Sequence, residues 1–345
     1  MSARGVLAER IAAQGLVGER ATEPAAVAER LLAIQGQDPR GARLAVRARS
    51  DGLGASDVDR ALSEERSLLI TWLNRGTLHL VRSDDYPLLQ LLTTPPLLSS
   101  SSRRLRQEGV SEAMAEKGVA TIERALADEG PLTRPQMRER LDAAGVRTEG
   151  QALVHLFFLA ALRGLVVRGP MIGREHAFVL VRDWLGAQPQ LDREAALAEL
   201  ARRYLVGHGP AGDRDLARWA GLPLRDARAG LEVIASELRQ RPDGLVDLAA
   251  RAPAEEAPLP EPMLLGAFDP LLLGWTSREE IVGPHRMLVT NNGIFRPFAL
   301  VRGRAVATWR FAAGGVAIEH LEEVPKRAAA ALEAEARAVE QFLAG

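Results

Sequence analysis

One pattern recurs along this chain and restricts what it can become: a run of helices closed by a β-hairpin. Residues 3–14 and 24–35 carry apolar positions at helical spacing, with Thr22 and Pro24 marking the second start. Residues 39–49 and 56–66 read as two more helices, and Ser56 with Asp57 and Asp59 suits an N-cap and first turn. Residues 68–81 then form two β-rich runs around Asn74, Arg75 and Gly76, a hairpin signal.

The order repeats. Residues 111–128 read as a helix stopped by Gly130 and Pro131. Thr133 opens the next, with Gln136 at capping-box spacing, and Gly145 ends it. Residues 150–162 make a third helix, and 165–167 with 177–181 read as a hairpin turning at Gly169-Pro170. A third round has helices at 194–205, 213–220 and 225–236, then two short strands within 237–248 around Pro242, Asp243 and Gly244. Three helices plus a hairpin is the order of a winged helix, in which one helix presents its outer face to a groove. Residues 251–262, rich in Pro, Ala and Glu, read as a linker. Residues 285–311 alternate and turn at Asn292-Gly293 and Gly303, a small all-β module, and 325–343 predict an amphipathic helix.

Composition removes several function classes. The 345 residues include no cysteine, which excludes disulfides, Cys-based zinc sites, iron–sulfur clusters and thiol nucleophiles. The six histidines are scattered without metal-ligand spacing, so no metal and no cofactor is expected. There is no Walker loop, dinucleotide fingerprint or nucleophile elbow. Lysines are confined to Lys117 and Lys326, which disfavours Schiff-base chemistry. The net charge of −1 runs against a uniformly basic DNA binder, but DNA responds to the local field of a patch. No apolar run reaches the roughly 18 residues of a membrane span, and residues 1–18 read as an amphipathic helix rather than a signal peptide. A cytoplasmic, nucleoid-associated protein with no membrane partner is expected.

The segment from Ala33 to Ser50 carries the candidate chemistry. On a helix, Gln35 and Gln37 would point roughly 200° apart, whereas in an extended segment they share a face. Gly36 and Pro39 argue for a break here. Two readings stand: the amides face one solvent space, or they satisfy backbone groups at a helix end. Arg40, Arg43 and Arg47 form one stripe with Arg49 nearby. The stripe suits phosphate binding or, equally, a solvated face answered by Asp38 and Asp51.

Three motifs add a resemblance. Gln35-Gly36-Gln37-Asp38-Pro39 resembles the Gln-apolar-Gln segment of the AlkZ/YcaQ family of DNA glycosylases. Thr71-Trp72-Leu73-Asn74-Arg75-Gly76-Thr77-Leu78-His79-Leu80 is similar to its second signature. Gly266 to Gly274, with Asn292 to Phe295 and Gly303 to Arg310, is similar to its third. The motifs fall in order over residues 5–320. One departure is Gly36, where the family often has a larger apolar residue.

The resemblance implies an α+β, mainly helical fold of three tandem winged-helix modules followed by a small C-terminal β-barrel. On this chain they map to 1–110, 111–190, 191–250, a linker at 251–262, and 263–345 with the terminal helix. It implies a monofunctional glycosylase that hydrolyses the N-glycosidic bond of alkylated, cationic purines and, as in some relatives, unhooks interstrand crosslinks. The partner is then double-stranded DNA bearing alkylated purines, with no obligate protein partner. Gln35 and Gln37 are the catalytic candidates, positioning a water against an oxocarbenium-like sugar. Asp38 is either a general base or an N-cap, and His79 either a supporting group or a structural histidine. Asp269 is a supporting candidate facing the channel. Arg40, Arg43, Arg47, Arg49 and Arg75 are the DNA-binding candidates. Two alternatives remain beside the enzyme: a non-enzymatic winged-helix DNA binder, and a self-resistance protein that sequesters an alkylating natural product.

Overall fold

Helices and hairpins alternate as the apolar pattern demands. The computed structural model describes residues 3–173, 175–252, 258–290 and 292–345, a mixed α/β chain about half helical. Packing divides it into two units, residues 1–59 with 194–345, and residues 60–193. The first boundary falls inside the expected first module. The physical reason lies in pairs that tie the N-terminal helices to distant sequence: Glu9 with Arg241, Arg47 with Glu335, and Arg49 with Asp269.

In the first unit, helix Pro24–Leu31 ends at Leu32, whose φ of 61° leaves the helical region. The chain then runs extended through Ile34–Gln35. Helix Pro39–Arg47 follows, with Asp38 as N-cap and Pro39 at its first position. Helices Arg193–His208, Asp213–Ala220 and Leu224–Val233 precede a hairpin of Leu238–Gln240 with Val246–Leu248.

The C-terminal strands differ from the expected barrel. They form an open antiparallel sheet in the order Gly315–His320, Arg304–Ala312, Phe298–Val301, Met263–Leu265, and among the described residues no strand pair closes it. Helix Lys326–Ala344 packs against both edge strands, so a helix covers what further strands would otherwise have to close. Of the linker, residues 253–257 lie outside the described residues.

Helix Pro39–Arg47 approaches this sheet very closely. A Cβ at Gly41 would collide with the Ala267 carbonyl oxygen, and one at Gly266 would lie 3.0 Å from the Gly41 Cα and the Leu44 Cβ. Two glycines therefore set the distance between the helix and the strand end that leads to Asp269.

The second unit packs Thr77–Arg82, Leu68–Leu73, Val166–Ile172 and Glu175–Leu180 in that order, all antiparallel. Helices Leu98–Gln107, Glu112–Glu129, Arg134–Ala143 and Ala152–Leu162 share its core, with Leu156 and Phe157 fully buried. The capping box is present at Thr133, whose N–H donates to Gln136 Oε1 at 2.9 Å. Gly169-Pro170 does not turn the second hairpin as expected. Both lie within strand Val166–Ile172, where the register shifts between Arg168 and Met171, and the chain turns at Gly173 with φ +64°. A bulge tolerates proline because it needs no ladder donor there. No described helix is long and apolar enough to cross a membrane.

Candidate active site

The extended backbone at Gln35 decides the geometry of the two glutamines. Residues two apart on an extended chain share a face, and Gln35 Nε2 donates to Gln37 Oε1 at 2.7 Å. Gln35 is only 6% exposed, whereas Gln37 is exposed. One amide is thus anchored in the protein and holds the other at the surface. A carbonyl oxygen has two lone pairs, so Gln37 Oε1 can accept from a water while bound to Gln35.

Asp38 is committed to the helix that follows. Its Oδ1 accepts the Gly41 N–H at 2.9 Å, the N-cap role rather than that of a general base.

The arginine stripe divides by partner. Arg43 Nε donates to Asp59 Oδ1 at 2.9 Å, Nη2 makes a second bond to the same oxygen, and Nη1 reaches the Pro39 carbonyl at 2.8 Å. Arg47 clasps Glu335 through two bonds of 2.9 and 3.0 Å, and Glu335 also accepts the Leu264 N–H. These two guanidiniums fasten the helix rather than facing solvent. Arg40 is exposed and, among the described residues, alone of the stripe in having no carboxylate partner, its guanidinium 5.1 Å from the centre of the Phe311 ring.

Arg49 and Asp269 depart furthest from expectation. Arg49 is 2% exposed and Asp269 0%, so neither faces a channel. Arg49 meets both carboxylate oxygens of Asp269, at 2.9 and 3.0 Å, and also donates to the carbonyls of Gln14 and Ala45 and to Gln14 Oε1. Asp269 Oδ1 further accepts the Leu271 N–H. Phe268, at φ +59°, is a bulky residue in the left-handed region, and this bend turns the chain into Asp269. Every polar atom of this pair is answered, as a buried ion pair requires. Sequence reading missed Gln14, because nothing local in 3–14 signals a partner 35 residues away.

Arg75 and His79 belong to the hairpin of the second unit. Arg75 sits at its turn with φ +58°. His79 is 2% exposed, and its Nδ1–H donates to the Thr77 carbonyl at 2.9 Å. Burial, reinforced by the positive charge of Arg75, pushes its pKa down to about 3, so the ring is neutral at physiological pH. That suits the structural role better than acid catalysis.

A family model described as DNA glycosylase AlkZ-like matches residues 28–342. The chain is 31% identical over 335 residues to an interstrand DNA cross-link repair glycosylase of Streptomyces sahachiroi, covering 89% of this chain and 87% of that protein. The solved structure of Streptomyces sahachiroi DNA glycosylase AlkZ superposes with a TM-score of 0.79 at 26% identity, over 99% of this chain and 96% of that one.

Proposed function

The chain belongs to the AlkZ-like family of DNA glycosylases, and from that premise we propose that it hydrolyses the N-glycosidic bond of alkylated, cationic purines in duplex DNA. The observation that carries the reading is the 2.7 Å bond between Gln35 and Gln37. A purine alkylated on a ring nitrogen is already a good leaving group, so the enzyme's task is to place a nucleophilic water and accommodate an oxocarbenium-like sugar. The exposed Gln37 Oε1 orients that water, and the buried Gln35 amide fixes Gln37. No titrating acid is required. With lysine confined to Lys117 and Lys326, the reaction stops at the abasic site without a lyase step.

By analogy with the Streptomyces sahachiroi relative, whose name gives interstrand cross-link repair, crosslinked duplex is a proposed second substrate. We read the three rounds of helices and hairpin as winged-helix modules, with Arg40 and Arg75 as phosphate contacts. Membership of an enzyme family removes the ground for the non-enzymatic alternative. The test is incubation with duplex carrying N7-methylguanine, measuring free base released. Release is expected, along with an abasic site that survives without strand cleavage. Absence of release from methylated and crosslinked duplex alike rules the reading out.

A further inference from the structure

Arg168 occupies an unusual place in the second unit. It pairs with Phe178 on the neighbouring strand and with Ile70 on the other side. This sets it on the same face as Trp72, two residues beyond Ile70, and its guanidinium lies 5.9 Å from the Trp72 ring centre. Trp72 and Phe178 stack 6.4 Å apart at the rim of the apolar core. A half-buried guanidinium on an apolar rim calls for a counter-ion.

None is present among the described residues. The Arg168 side chain makes no hydrogen bond or ion pair there, and no carboxylate contributes to its electrostatic environment. Among the described residues, the charge that acts on it is Arg134, of like sign. Burial first, then that repulsion, pushes the Arg168 pKa down to about 10. Arg134 is itself exposed and, among the described residues, without an ion pair. It is the first residue of the ten-residue helix Arg134–Ala143, and Leu132 beside it bridges to Phe178, the strand partner of Arg168. The positive end of the helix dipole adds to the same field. Arg43, Arg47 and Arg49, by contrast, are each matched with an acid. Here Arg134 acts on Arg168 with like sign, and neither makes an ion pair among the described residues. The strand bulges immediately after Arg168, a device that re-aims side chains next to binding sites.

We propose that Arg134 and Arg168 together seat one phosphodiester of the nucleic-acid backbone, with Trp72 as the floor of the seat. A single phosphate between the guanidiniums answers both charges and relieves their mutual repulsion. The inference rests on DNA being the substrate, and it is independent of which residues perform the chemistry.

The test is equilibrium binding of the full chain to undamaged duplex between about 50 and 200 mM salt. Arg134→Gln is exposed and leaves the core untouched. Arg168→Gln and Arg168→Lys separate charge from packing on Trp72. Each glutamine variant is expected to flatten the slope of log K against log salt by about 0.9, the worth of one phosphate. The double variant should lose no more than either alone. Arg168→Lys should keep the wild-type slope. An unchanged slope in Arg134→Gln overturns the proposal, as does a doubled loss in the double variant, or an Arg168→Lys slope equal to that of Arg168→Gln. A second arm compares thermal stability in inorganic phosphate and in chloride at equal ionic strength. Stabilisation by phosphate with an unchanged DNA slope makes the seat one for a free anion and overturns it. Base release from methylated duplex is read separately. Normal release with an unchanged slope removes the seat alone, while a flattened slope without release leaves the seat and removes the glycosylase reading.

Discussion

Arg49 and Asp269 lie 220 residues apart in sequence and meet through two parallel bonds of 2.9 and 3.0 Å, both out of reach of solvent. The pair joins the chain just beyond helix Pro39–Arg47, the helix that follows the two glutamines, to the segment beyond strand Met263–Leu265. Removing one partner strands a buried charge, which costs about 3–5 kcal/mol. Asp269→Asn is therefore expected to lower unfolding free energy by that order in urea titration. The double variant Arg49→Met with Asp269→Leu should recover much of the loss. If Asp269→Asn is as stable as the parent, the pair does not hold the helix in place.

Gln35→Ala and Gln37→Ala should each reduce base release by on the order of 10²-fold, since misplacing a bound reactant by about 1 Å has that effect. Duplex affinity should change little. The double variant should be no slower than the single ones, because the amides act as a unit. Additive losses in single-turnover assays would count against the anchoring role of Gln35.

The arginines of the stripe should separate into two behaviours. Arg40→Gln is expected to flatten the salt dependence of duplex binding by about 0.9 while leaving stability alone. Arg43→Gln and Arg47→Gln should lower the melting temperature and leave the salt slope near that of the parent, because their charges are already matched by Asp59 and Glu335. The reverse pattern would mean that those ion pairs open to admit DNA.

Two buried histidines make stability pH-dependent. His79 and His208 are fully neutral in the fold, burial pushing the pKa of each down to about 3 from an ordinary 6.5. The unfolded chain takes up protons that the folded chain refuses, so stability is complete above about pH 6.5 and declines as pH falls toward 3. Each contributes up to about 1.4 kcal/mol per pH unit within that window. His208→Asn should reduce the slope of stability against pH between pH 5 and 6.5, measured by urea unfolding. Base release should show no inflection from His79 between pH 5 and 8.

Gly41→Val tests the close approach of helix and sheet. Its branched side chain meets the Ala267 carbonyl, and overpacking of this kind costs about 1–3 kcal/mol. Base release should fall by more than the loss of folded protein accounts for, because the helix is capped by Asp38 and follows Gln37 directly. A variant with parental stability and release would show that the approach has slack.

The helices and hairpins were legible because their signals are local. The cap at Asp38, the capping box at Thr133 and Gln136, and the hairpin at Asn74 to Gly76 each depend on residues a few positions apart, whereas the helix expected over 24–35 ends at Leu31, before the break expected at Gly36. The convergence of Gln35 and Gln37 followed from the same source, since extended backbone has a period of two. The helices Tyr86–Thr93 and Leu98–Gln107 were not read from the sequence; neither has a side-chain cap at its start.

The order of residues was enough to say which segments coil, extend and turn, and which family's motifs they carry, because backbone sterics and apolar period act over a single turn. Folding in three dimensions was needed to say which charges face outward. Arg40, Arg43, Arg47 and Arg49 look alike along the chain, yet one is exposed, two are clasped by Asp59 and Glu335, and one is sealed against Asp269. The partner of a charge is fixed by which distant segments the core brings together, and that depends on packing rather than on spacing along a strand or helix.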